Sequence, residues 1–481
     1  DATKNTLVLQ KGTISKVYGA EVKTKDGSAT ENTVKIQGGR VGTYHGGVIY
    51  GGVLTAAGAT GKAAKNTVTI ESGSSIGRLH VYGGALTEND STGSAEENAV
   101  DLSVDVDNNV YGGYVAGTGH AKKNIVTLRG DGGADRIFGG YARLGDASEN
   151  IINITGGRRL SVIYGGFTDN PSVGKTGGNT VNLGDGTNPL AAGTTLGRIY
   201  GGNSTMADGN DDNTLNVNTN AAASNIYNFP KVNFNLNGSL NKANPMLALN
   251  GGEMTKFDWG KFTVNGAQPA TDEDITLLKN NTGIDFGTTY TDTRYMGTAA
   301  TKKHEYVVYT DTGTAAGVKE LLYGTYQFKD AVKTFSSHNS RNPDIWAGRS
   351  IVGNSTVNNT LTITGGNHRH AYGGWTVGSV TTETDKDDSR GNTVTLTGGT
   401  LTGNLYGGFT ANAAGKATGN TVNLQGGEVK GILYGGHLAN AAATGSAAGN
   451  TITITGGKMT DIYGGYTANA AAGKTTGNTV N

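Results

Sequence analysis

Acid–base chemistry on a polymer needs two or three carboxylates converging on one bond, and this chain carries four acidic groups that invite the test. They are Asp105/Asp107, Asp208/Asp211/Asp212, Asp272/Glu273/Asp274 and Asp385/Asp387/Asp388. All fall mostly in loops between repeated segments and keep no fixed place in the repeat, so they read as solvated loop charge. The Asp208-Gly-Asn-Asp-Asp212 loop offers oxygen ligands of the kind calcium takes. It lacks the nonapeptide of calcium β-rolls, so no metal is expected there. His368 and His370 have the spacing that puts two imidazoles on one strand face, without a third ligand, and read as surface polarity. No nucleophile elbow is expected, and there is no cysteine to serve as nucleophile. Catalysis is left without a candidate: the chain reads as a non-enzyme with no cofactor. Arg129-Gly130-Asp131 stands where other repeats turn, and there it would be exposed to an integrin-type receptor.

What the chain does carry is repetition. Tyr-Gly-Gly recurs from Tyr50, Tyr82, Tyr111, Tyr164 and Tyr200, then from Tyr372, Tyr406, Tyr434 and Tyr463. Tyr18-Gly19-Ala20 and Phe138-Gly139-Gly140 are degenerate copies. A second motif alternates with it, as Asn66-Thr-Val-Thr-Ile, Asn179-Thr-Val-Asn-Leu and Asn392-Thr-Val-Thr-Leu. Units of about thirty residues cannot bury a core alone and must stack. Short extended runs with no helical period predict an all-β chain, a parallel β-helix (β-solenoid) with one coil per repeat and an irregular insertion.

In a strand, alternate residues share a face. Asn66, Val68 and Ile70 are therefore expected inside, with the asparagines stacked coil on coil. The outward row is then Thr67 and Thr69, Thr180 and Asn182, Thr214 and Asn216, Thr360 and Thr362, Thr393 and Thr395, Thr421 and Asn423, and Thr451 and Thr453. Such an uncharged strip could join two copies side by side. The position after Gly-Gly is aromatic at Tyr114, Tyr141, Phe167, Trp375, Phe409 and Tyr466. These rings either stack between coils or offer flat platforms to sugars.

The motifs divide the chain into a first array over 1–218, a distinct stretch over 219–350 and a second array over 351–481. The middle stretch holds seven of the ten phenylalanines, with Trp259, Trp346, Pro230, Pro245, Pro269 and Pro343. It reads as irregular coils or a small β subdomain, with Trp259 and Trp346 as candidate ligand-binding aromatics.

Lys+Arg 39 balances Asp+Glu 39, so no basic field exists to draw nucleic acid or an anionic membrane surface. No run of eighteen apolar residues is present, so no membrane insertion by a helix is expected. Asp1 at the front and an unfinished repeat at Asn478 suggest a removed leader and further sequence behind. The alternation of Asn-Thr-Val-x-Leu with Tyr-Gly-Gly, and the stretch Ile226-Tyr-Asn-Phe-Pro-Lys-Val-Asn-Phe234, resemble the passenger region of autotransporter (type V secreted) proteins of diderm bacteria. The resemblance implies a right-handed β-helical stalk, passed through an outer-membrane barrel and displayed at the cell surface or secreted as an adhesin. The expected partner is the protein itself, or a cell-surface glycan or protein. A polysaccharide-active enzyme and a ligand-free filament are the rival readings.

Overall fold

Each Asn-Thr-Val-x-Leu copy becomes a four-residue strand, because β-branched side chains fit a pleated, half-buried surface. In the computed structural model these strands include Thr33–Ile36, Thr67–Ile70, Ala99–Leu102 and Ile125–Leu128. They pair in parallel and in register: Val68 stands opposite both Val34 and Val100, and Ile70 opposite Ile36 and Leu102. Slipping by one residue would turn every valine outward. The structure describes all residues except 43–45, 159, 187–189, 191–193, 237–242, 267–271, 273, 288–289, 312–317 and 338–342. Pro269 and Glu273 lie outside the described residues.

Two compact units result. The first comprises Asp1–Gln268, Thr276–Tyr290 and Asp311–Leu321; the second comprises Pro269–Ile275, Thr291–Thr310 and Leu322–Asn481. Both are parallel β-solenoids, and no helix occurs among the described residues. In the first unit, ten strands from Thr6–Leu9 to Phe262–Asn265 stack into what we call the asparagine sheet. The tyrosine sheet is built by strands such as Gly47–Leu54, Leu79–Leu86 and Asn109–Val115. Short strands such as Lys62–Ala64 and Ser94–Glu96 close a six-stranded third side. The second unit repeats the plan, with six strands in its asparagine sheet, from Val332–Phe335 to Thr479–Val480.

The coil turns one residue before each inward asparagine. Lys4, Glu31, Lys65, Glu97, Lys123 and Glu149 all have φ between 56° and 59° there. This is the left-handed region, which costs an L-residue roughly 1–2 kcal/mol. Gly391, Gly419, Gly449 and Gly477 hold the same corner in the second unit.

The stretch 219–350 is not one body. Its earlier part continues the first unit: Lys231–Asn235 pairs with Thr214–Val217, and Phe262–Asn265 pairs with Lys231–Asn235. The first array therefore runs past residue 218. Phe234, Phe257 and Phe262 are buried and fill coils whose aliphatic motif has lapsed. Its later part gives the second unit an antiparallel hairpin, in which Thr293 faces Tyr309 and the register shifts between Tyr295 and Gly297.

Candidate functional site

The inward asparagines form a ladder in which each interior member, such as Asn66, uses both its amide nitrogen and its amide oxygen. Asn66 donates its backbone N–H and its Nδ2 to Asn98 Oδ1 at 3.0 and 2.9 Å, and Nδ2 again to the Ala29 carbonyl at 2.9 Å. Its own Oδ1 accepts from Asn32 N and Nδ2. Asn98, Asn124, Asn150 and Asn179 repeat the pattern, as do Asn359, Asn392, Asn420 and Asn450 in the second unit. All are fully buried. The amide thus serves backbone groups that a tight corner leaves without partners. The same ladder accounts for Gly-Gly: a Cβ on Gly84 would lie 2.5 Å from Asn98 Nδ2, and one on Gly83 would lie 2.4 Å from the Gly112 carbonyl. The two sequence motifs are two sides of one close approach.

The opposite face of the asparagine sheet carries the predicted polar row. Thr67, Thr69, Thr180, Asn182, Thr360, Thr362, Thr393, Thr395, Thr451 and Thr453 are all half-buried, and all but Thr453 stand between buried neighbours. In the first unit the row becomes a second, outward asparagine ladder. Asn182 donates to Asn153, Asn216 to Asn182, and Asn233 to Asn216, each Nδ2–Oδ1 distance being 2.7 Å. Each of the linked amides keeps one further N–H and one further lone pair for solvent or a partner. The sequence shows threonine and asparagine side chains in this row; the bonded chain of amides is a finding of the structure.

The aromatic columns are mostly stacked on themselves. Tyr50, Tyr82, Tyr111 and Phe138 follow one another at 4.7, 4.7 and 4.9 Å, with Tyr82 and Tyr111 only 2° from parallel. Tyr114 and Tyr141 form a second column, edge-on to the first. Burial raises the Tyr50 hydroxyl to about 12. In the second unit Phe409 lies flat on His437 at 5.3 Å, and Tyr466 on His437 at 4.9 Å. His437 was missed because its letter is not aromatic in the usual sense. Burial lowers its pKa to about 4, so a neutral ring completes the column. Phe409 and Tyr466 each have one ring face covered by His437. Trp259 is a correction: it is 5% exposed, packed edge-on against Phe286 and Phe262. It fills the first unit's core and offers no ring to a ligand. Trp346 and Trp375 are half-buried and tilted against each other at 5.9 Å.

Arg129, Gly130 and Asp131 are exposed at a turn, with Gly130 at φ 52°. Both charges are engaged, Arg129 with Asp101 at 3.1 Å and Asp131 with Arg158 at 3.3 Å. His368 is buried against Phe335, whereas His370 Nδ1 accepts the Asn404 backbone N–H at 2.8 Å, so the pair does not converge. No group of three metal-ligating side chains occurs among the described residues. The acidic loops are largely spent on cations of neighbouring coils: Asp208 on Lys175, Asp212 on Lys231, and Asp385 on Lys329 and Arg390. Gly73-Ser74-Ser75-Ile76-Gly77 does spell Gly-x-Ser-x-Gly, against the expectation that no nucleophile elbow occurs. Its context is wrong for a nucleophile, because Ser75–Ile76 is a strand paired with Arg40–Val41 and not a strand-to-helix turn. Comparison with protein-family models, curated proteins and solved structures returned no match.

Proposed function

We propose that the protein is an adhesin, displayed at a bacterial surface or secreted, which joins copies of itself through the outward face of its asparagine sheet. The observation that carries this reading is the outward ladder Asn153–Asn182–Asn216–Asn233. Its amides are already oriented by one another, so a partner meets an ordered, uncharged set of donors and acceptors without the entropy of fixing them. The threonine rows around Thr67 and Thr69, and from Thr360 to Thr453, extend the same surface type within each unit. Each contact is weak. Repetition along a stack of coils makes the sum useful through multivalency. The resemblance to autotransporter passengers supports the location, and a chain without net charge supports contacts that survive salt.

The test is clustering of beads coated with the full chain, with uncoated beads as control. Clustering that persists as salt is raised is expected, and Asn182→Asp with Asn216→Asp should abolish it by placing like charges in the ladder. Dispersed wild-type beads would sink the reading.

A further inference from the structure

The second unit holds a cation that its surroundings do not neutralise by contact. Strand Ile345–Ser350 pairs with Ala371–Thr376 so that Trp346 stands opposite Tyr372 and Arg349 opposite Trp375. Trp346 thus heads the tyrosine column, and Arg349 heads the second column, where an aromatic ring is the rule. The Arg349 guanidinium carbon lies 4.4 Å from the Tyr326 ring centre, 4.5 Å from Trp346 and 4.9 Å from Trp375. Rings hold a guanidinium by its faces and leave its N–H edge to be satisfied elsewhere.

That edge has no acceptor among the described residues. Arg349 Nε is buried without a hydrogen-bond partner, and so is the indole Nε1 of Trp346 beside it. Two buried orphan donors at one place are costly, at roughly 1–3 kcal/mol each, and call for an acceptor. The carboxylates nearest in the fold are committed. Asp274 accepts from Tyr326 Oη at 2.5 Å, and Asp272 is paired with Lys333. Glu305 accepts from Ser350 Oγ, Ile351 N and Asn354 Nδ2 at 2.6, 2.8 and 2.9 Å. Lys333 itself leans over Trp346, its Nζ 5.7 Å from the ring centre.

We propose that Arg349, with Trp346 and Trp375, forms a binding site for an acidic saccharide that carries uronate-type carboxylates. A planar carboxylate matches the guanidinium fork, and Arg–carboxylate pairs of this kind are among the stronger polar contacts. The half-buried indoles, each with the guanidinium against its ring, border the sugar with the apolar surface they leave exposed. The site lies in the second unit's tyrosine sheet and uses no residue of the asparagine sheet, so it stands or falls apart from self-association.

Intrinsic fluorescence tests it. The chain has three tryptophans, of which two flank Arg349 and the third, Trp259, is buried in the first unit. Titrating the full chain with oligogalacturonate should give a saturable change, while cellohexaose gives none. Arg349→Gln should weaken the apparent affinity by about tenfold or more, the scale of losing a bidentate charged contact. Arg349→Lys keeps the charge and should still lose several-fold, which decides the matter if the glutamine variant does not fold. Trp259→Phe should leave the amplitude of the change intact. Absence of a saturable change, an equal response to cellohexaose, or wild-type affinity in Arg349→Lys would overturn the proposal. An equal response to a sulfated saccharide that vanishes at moderate salt would do so too, since it would mark diffuse charge attraction. Bead clustering by Arg349→Gln separates this outcome from the self-association reading.

Discussion

The corner before the inward asparagine is built in two ways. The first unit forces lysine and glutamate into the left-handed region, at Lys4, Glu31, Lys65, Glu97, Lys123 and Glu149, while the second unit uses glycine at four of its coils. Sign alternates up the first unit's corner, and Lys4–Glu31, Lys65–Glu97 and Lys123–Glu149 each approach to 3.8 Å. These pairs are exposed and contribute little each. The strain is tolerated because the ladder behind it over-determines the backbone. Glycine avoids the strain but loses more chain entropy on folding. One geometry therefore accepts two sequence solutions, and the corner takes its conformation from the buried amide it serves.

The widest test of that view removes the amide. Asn98→Leu leaves the Asn66 backbone N–H and the Ala63 carbonyl without partners, and Asn420→Leu does the same to Asn392 and Ser389. Each should cost about 3 kcal/mol or more in chemical denaturation, by similar amounts in the two units. A small loss in the glycine-cornered unit alone would break the comparison.

A pH effect of similar size should be confined to the second unit. Burial lifts the Glu305 carboxyl from 4.5 to about 7, against the opposing pull of its bonds to Ser350 and Asn354. A carboxyl raised on folding stabilises fully below its unfolded value, and that contribution is lost as pH climbs through 7. Glu305 alone should thus contribute up to about 3 kcal/mol more stability at pH 5 than at pH 8, offset in the same unit by His437, whose lowered pKa acts with the opposite sign. Glu305→Gln should remove the Glu305 part, so that in thermal melts the variant loses more stability at pH 5 than at pH 8 relative to wild type.

Smaller effects sharpen the corner itself. Gly419→Lys should destabilise by about 1 kcal/mol through left-handed strain alone, since nothing lies within 4 Å of the added Cβ. Lys65→Gly should stabilise by less than about 1 kcal/mol, because the lost pair with Glu97 and the added chain entropy offset the relief. A clear loss of stability in Lys65→Gly would mean that the charge ladder outweighs the strain.

Much of this was legible in the residues. The alternation in Asn66–Ile70 names the inside, and repetition of a bare amide at one inward position implies a ladder. The reach of the first unit past residue 218 was hidden because Lys231–Asn235 keeps the alternation but replaces the signature letters. Trp259 was misjudged because an aromatic in a degenerate coil looks the same in sequence whether it fills the core or faces outward. Trp346 stands out as an aromatic, but its alignment with the tyrosine column, and that of Arg349 with the second column, is hidden because Trp-Ala-Gly-Arg does not resemble Tyr-Gly-Gly-Phe. Gly348 was the available clue: a Cβ there would come within 2.2 Å of Asn359 Nδ2, the same constraint that governs Gly84.

The inward ladder also has a direction. From Asn5 to Asn179, and from Asn359 to Asn450, each asparagine donates to the asparagine of the following coil, as Asn32 does to Asn66 and Asn66 to Asn98. A partly wound solenoid therefore has two chemically different fronts. The front facing later sequence presents waiting N–H groups, and the front facing earlier sequence presents a bare amide oxygen. A coil added in chain order arrives with the acceptor that the waiting donors need, and one added in reverse order with the donors that the bare oxygen needs, so each finished turn sets the chemical demand that the next one meets.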